Sequence, residues 1–114
     1  VYTDVITFPC FMVSETVKKV ISKYQPFLKY TRVVLLQKEK ETIMAYYIPF
    51  LEQAGKGMKN GTGKLLLGRE QTDGRIIAEI QAGDNIRIMM RMDLVEGILR
   101  RKTVGVGLEE IVLT

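Results

Sequence analysis

The chain has no histidine and no tryptophan, and its 114 residues include one cysteine and three prolines. The missing histidine is the most informative absence. It removes Ser-His-Asp and Cys-His nucleophile activation, histidine general bases and every histidine-containing zinc site. A single cysteine, Cys10, leaves no intrachain disulfide and no thiolate metal cluster. Its setting in FPCFMV reads as that of a small buried hydrophobe rather than a reactive thiol. Such sparse cysteine use fits a reducing, cytoplasmic compartment. No run approaches the roughly 18 apolar residues of a membrane span. The opening residues show no basic start followed by an apolar segment, so neither a membrane anchor nor a secretory leader is expected.

Carboxylate and lysine chemistry survive these exclusions, but no constellation supports them. Glu109 and Glu110 are neighbours on an expected strand and point to opposite faces. Asp93 and Glu96 read as a helix-capping pair, and Glu39 and Glu41 sit in a charged turn. The stretch GKGMKNGTGK at 55–64 invites a phosphate-loop reading. That motif needs a glycine seven residues before the hydroxyl and a hydroxyl directly after the lysine. Gly63-Lys64 would place these at Met58 and Leu65, and neither fits. No catalytic residue, metal ligand or cofactor is therefore assigned, and a non-enzymatic role is expected.

What is present suits one soluble domain spanning 1–114, with 46% hydrophobic residues. Seventeen Lys and Arg against thirteen Asp and Glu give a net charge of +4, a mild excess that permits an acidic protein or nucleic-acid partner without demanding one. TDVITF (3–8) reads as a first strand ended by Pro9. Ser14 is a good N-cap for a helix whose Val17, Val20, Ile21 and Tyr24 form one apolar face, closed by Pro26. KYTRVVLL (29–36) and TIMAYYIPFL (42–51) read as a hairpin, with Pro49 marking either an edge or the end of the second strand; an edge there would allow a homodimer by sheet pairing. The glycine-rich 52–63 reads as a mobile loop. KLLLGRE (64–70), RIIAEI (75–80) and IRIMMRM (86–92) follow as strands, the last with Ile86, Ile88 and Met90 on its apolar face. Asp93 caps a second helix with Leu94, Val95, Ile98 and Leu99 as its stripe, and 107–113 is a closing strand. The expected fold is α+β, a mostly antiparallel sheet of about six or seven strands with two short helices on one face.

The two ends also match in pattern when shifted by 78 positions: Val17, Val20 and Ile21 fall on Val95, Ile98 and Leu99. A duplicated unit and the generic look of an amphipathic helix feeding a buried strand both explain this.

Candidate contact residues come from two sources. Arg100, Arg101 and Lys102 are consecutive cations at a helix end, where they also suit the negative end of the dipole. Gly105 and Gly107 then read as the bend returning the chain to the sheet. Lys56, Lys59 and Lys64 punctuate the glycine-rich stretch, and Tyr46 and Tyr47 are adjacent in a strand, so one of them faces outwards.

PCFMVSETVKKVISKYQPFLKYTRVVLL and RMDLVEGILRRKTVGVGLEEIVL together resemble the opening and closing segments of bacterial immunity-protein families linked to polymorphic toxin systems. The resemblance implies binding and blocking of a toxin protein rather than catalysis, and it carries over no functional residues. Immunity proteins to nucleases are often acidic mimics of nucleic acid. This chain is basic, which puts a nuclease partner in doubt. The leading expectation is a cytoplasmic protein-interaction module, with a nucleic-acid or phosphate-binding accessory domain second and a small carboxylate or lysine enzyme third.

Overall fold

The computed structural model describes residues 3–7, 10–37, 42–59, 65–103, 105–106 and 111–113. Pro9, Glu39, Glu41, Lys64, Gly107, Glu109 and Glu110, on which some expectations rest, lie outside these residues. In chain order the elements are β1 (Val5–Ile6), β2 (Met12–Val13), α1 (Glu15–Tyr24), β3 (Tyr30–Gln37), β4 (Thr42–Pro49), β5 (Gln53–Lys59), β6 (Leu65–Leu67), α2 (Arg69–Thr72), β7 (Ile77–Ala82), β8 (Asn85–Met90), α3 (Met92–Leu99) and β9 (Ile111–Leu113). The fold is α+β. Its described strands form two sheets rather than the one expected, and the helices are three rather than two. The chain packs as two compact units, Val1–Phe50 with Leu94–Val106, and Leu51–Asp93 with Gly107–Thr114.

The first unit carries a four-stranded sheet in the order β1-β2-β4-β3, antiparallel throughout. β4 lies between β2 and β3, so of the two expectations for Pro49 the edge is corrected and the strand end is met. Pro49 ends an interior strand opposite Tyr30, where its missing N–H disturbs only the last rung, and the edge strands are β1 and β3. α1 follows its sequence signals. Ser14 Oγ accepts a hydrogen bond from the Val17 N–H at 3.3 Å and donates one to Asp4 Oδ1 at 2.6 Å, with Ser14 and Asp4 both buried. Val17, Val20 and Ile21 are buried as the apolar stripe requires. Each contributes about 1.5–3 kcal/mol relative to exposure. The Glu15–Lys19 pair at 3.9 Å is exposed and contributes little.

α3 brings Leu94 and Ile98 into the core of this unit. Leu99, expected in the stripe, is largely exposed. Gly97 lets α3 approach α1 closely: a Cβ there would lie 3.1 Å from Val20 Cγ1. The helix does not end on a glycine. Lys102 takes a left-handed φ of +54°, and the Arg101 and Lys102 N–H groups bond to the Ile98 and Leu99 carbonyls. Gly105 also has positive φ, and a Cβ there would meet Thr3 at 2.9 Å, so this bend depends on glycine as expected.

The second unit carries a five-stranded sheet in the order β8-β7-β5-β6-β9. β5 is parallel to β7 and antiparallel to β6, and β6 is parallel to β9. The glycine-rich stretch expected as a loop is therefore largely the middle strand of this sheet. It holds because Gly55, at φ +95°, makes a bulge between Gln53 and Lys56 that a side chain elsewhere ties down. Ala54, Leu67, Ala78, Ile80, Ala82 and Met89 form the core. Met89 is buried and Ile86 exposed, so the apolar face of β8 is the reverse of the one expected. Asp93 is the second residue of α3 rather than the residue before it. It stands inside the first turn and receives Arg91 Nε and Nη2 on its two carboxylate oxygens at 2.7 Å each. The two stretches related by the 78-residue shift are both helix then strand, but β3 pairs antiparallel with β4 and β9 parallel with β6.

Candidate protein-binding surface

β3 has the sequence YTRVVLLQ, with an unbroken apolar run at Val33–Leu36. Such a run suits a strand buried on both faces, yet β3 is the edge of its sheet. The register settles which side chains share a face. Arg32 stands opposite Tyr47, Val34 opposite Ala45, and Leu36 opposite Ile43. Alternation along each strand then puts Tyr30, Arg32, Val34 and Leu36 with Ile43, Ala45, Tyr47 and Pro49.

α1 covers one end of that face. Lys18 Nζ lies 4.4 Å from the Tyr47 ring centroid and 5.3 Å from that of Tyr30, and the two rings meet edge to face at 6.4 Å. The ammonium is thus held by two aromatic faces, an attraction of about 0.5–2 kcal/mol. Burial pushes the Tyr30 phenol above its ordinary value, and Ser22 offsets part of this. The Tyr30 hydroxyl is buried and lacks hydrogen-bond geometry to any group, so burial dominates.

The other end of the face is uncovered. Val34 is 53% exposed, Leu36 62% and Ile43 68%. Leu35, on the opposite face, is 36% exposed. At the far end of the same ladder, Phe27 and Phe50 are also exposed, and the Phe50 N–H bonds to the Lys29 carbonyl. Among the described residues no strand pairs with the outer edge of β3. An exposed apolar edge strand without a proline, a glycine or a bulge is an open template for another strand.

The residues singled out from sequence are not gathered at this surface. Tyr46 is 2% exposed, and its hydroxyl donates to the Thr3 carbonyl at 2.7 Å, so it is a core residue that ties β4 to the start of the chain. Tyr47 is half-buried beneath Lys18. Lys56 is exposed on β5 in the second unit, and Lys59 ends that strand. Arg100, Arg101 and Lys102 are exposed just past α3 in the first unit. Cys10 is exposed, not buried, because β2 begins only at Met12, whose side chain takes the inward place. The apolar strip on β3 and β4 is not apparent from the sequence alone. Its signal was the VVLL run, which by itself does not distinguish a central strand from an edge.

Among the described residues no helix is long and apolar enough to cross a membrane, and no group of three metal-ligating side chains occurs. Comparison with protein-family models, with curated proteins and with solved structures found no match to this chain.

Proposed function

We propose that this chain is a non-enzymatic protein-interaction module that docks a partner polypeptide on the β3 edge and the adjoining apolar strip. Neutralisation of a toxin protein is its most specific form. The observation that carries the reading is the exposed row Val34, Leu36 and Ile43 beside a strand edge that no described strand pairs with. The sequence resemblance to immunity-protein families supports the toxin-binding form. The test is a pull-down from the source organism's lysate with mass spectrometry, run with the wild-type chain and with a Val34→Lys/Leu36→Lys variant. Both side chains are exposed, so the variant keeps its fold. A partner retained by the wild type and lost by the variant supports the reading, and equal recovery by both contradicts it.

A second reading rests on Arg100, Arg101 and Lys102, consecutive exposed cations that form no ion pair among the described residues. They suit a nucleic-acid or phosphate-binding accessory surface. Affinity would then fall steeply with salt, and replacing all three by Ala would weaken binding for every sequence alike. No gel shift at low salt ends this reading.

A further inference from the structure

We infer that the first unit binds the surface of an anionic lipid bilayer, with Phe27 and Phe50 entering the headgroup boundary and Lys23 and Lys29 on the headgroups. The inference goes beyond the docking role of β3 and does not use that edge.

Ordered backbone displays the two rings. The Gln25 N–H bonds to the Ile21 carbonyl at 2.8 Å and closes α1, and the Leu28 N–H bonds to the Gln25 carbonyl at 3.2 Å. The second bond closes a four-residue turn with Pro26 and Phe27 at its centre. Proline fixes the first central φ of such a turn. Phe27 is thereby held at the tip, 93% exposed. Phe50 follows β4, is 62% exposed, and is tied by its N–H to the carbonyl of Lys29 at 2.9 Å. Both rings therefore stand in water at one end of the β3–β4 ladder.

Charge complementarity indicates what they meet. The first unit carries ten Lys and Arg against five Asp and Glu, and the second carries seven against eight, so the positive excess lies wholly in the first. From Thr16 to Lys38 the sequence has six Lys and Arg and no acid, and β4 has no charged residue. Lys23 and Lys29 flank Phe27 along the chain, are exposed, and form no ion pair among the described residues. Two acids near this segment are already offset: Glu15 lies 3.9 Å from Lys19, and Glu52 lies 3.2 Å from Arg75.

Area favours a bilayer over a protein partner. The exposed parts of the two rings amount to roughly 300 Å². Each side of a stable protein complex buries about 800 Å². A bilayer needs no matching surface. It takes apolar side chains into the boundary between headgroups and acyl chains, and its negative potential holds the cations beside them. The stems of Lys23 and Lys29 can follow the apolar layer while their ammonium groups reach the phosphates. Single-stranded nucleic acid also combines stacking with positive charge, but it asks for a groove that tracks its backbone. A ring 93% exposed stands in no groove.

Vesicle flotation and tryptophan fluorescence on the full chain test this together. The wild type should float with phosphatidylserine–phosphatidylcholine vesicles and not with pure phosphatidylcholine, and added salt should weaken the binding. Phe27→Ser/Phe50→Ser should lower the partition coefficient by about tenfold or more. Lys23→Gln/Lys29→Gln should lower it by about tenfold. All four side chains are exposed, so the circular dichroism spectra should match that of the wild type. The chain has no tryptophan, so Phe27→Trp is a sole reporter. Its emission should shift to the blue on the anionic vesicles and be quenched by brominated acyl chains. A wild type that stays out of the floating fraction overturns the inference. So does binding that leaves the Trp emission unshifted, which is adsorption by charge alone. An emission shift with a single-stranded oligonucleotide or with polyglutamate, and none with vesicles, gives this corner to a nucleic acid or an acidic polypeptide and also overturns it. None of these outcomes bears on the pull-down that tests β3.

Discussion

The side chain of Gln71 spans the bulge at Gly55. Its Nε2 donates to the carbonyls of Ala54 at 2.9 Å and Lys56 at 2.8 Å, one on each side of the glycine, while its Oε1 accepts from the Gly68 N–H at 2.8 Å. One amide therefore satisfies three backbone groups and holds the middle strand of the second sheet in its bent course. Arg75 steadies the clamp from behind. Its Nη1 donates to the Gln71 carbonyl at 2.8 Å, and its Nε lies 3.2 Å from Glu52 Oε1, a Coulombic contact rather than an aligned hydrogen bond.

Gln71→Ala should destabilise the protein by about 2 kcal/mol, because three partly shielded backbone groups lose their partner. Gly55→Ala should also destabilise it, by about 1–2 kcal/mol, since φ is +95° and the new Cβ would stand 3.1 Å from Gln71 Nε2. Urea unfolding measures both. The two losses should be less than additive in the double variant, because they act on one bulge.

This clamp also explains why part of the fold was hidden in the sequence. α1 was legible because its signals are local: a capping Ser14 followed by Val17, Val20 and Ile21 at helical spacing. β5 was not, because QAGKGMK has the composition of a loop and the residue that makes it a strand lies sixteen positions after Gly55. The buried face of β8 is not legible in the sequence because Ile86, Ile88 and Met90 and the alternate Met89 are all apolar, so alternation does not choose a face. That choice came from Ala78 and Ile80 on the neighbouring strand. The edge position of β3 was hidden for the same reason, since sheet order is a long-range property.

Ser14→Ala should cost about 2 kcal/mol. It removes the N-cap of α1 and takes a 2.6 Å hydrogen-bond donor from the buried Asp4 carboxyl. Ser14→Thr, which keeps the hydroxyl, should recover part of the loss unless the added methyl clashes with the buried surroundings. Thermal and urea unfolding report both.

Lys102→Gly should stabilise the first unit by roughly 1 kcal/mol, because the left-handed conformation strains any residue with a Cβ and suits glycine at a helix end. Lys102→Ala should give no such gain, which separates backbone relief from the loss of a charge. The midpoint of urea unfolding is the readout.

Tyr30 gives the protein an alkaline dependence. Burial raises its folded pKa above the unfolded value of about 10, so the native state holds the phenolic proton more tightly. Its contribution is complete below the unfolded pKa and is lost as pH rises through the folded pKa. Tyr30→Phe removes a buried hydroxyl that has no hydrogen-bond partner, so it should leave neutral-pH stability nearly unchanged and flatten the decline above about pH 10. Unfolding curves across the alkaline range check this.

Amide hydrogen exchange along Tyr30–Gln37 tests most directly whether β3 is a docking edge. In dilute protein the amides that point away from β4 should exchange fast. With the partner recovered by pull-down bound, those alternate amides should slow by about an order of magnitude or more while the β7–β8 hairpin stays unchanged. Unaltered exchange along β3 with the partner bound, or protection appearing only elsewhere in the chain, would contradict the claim.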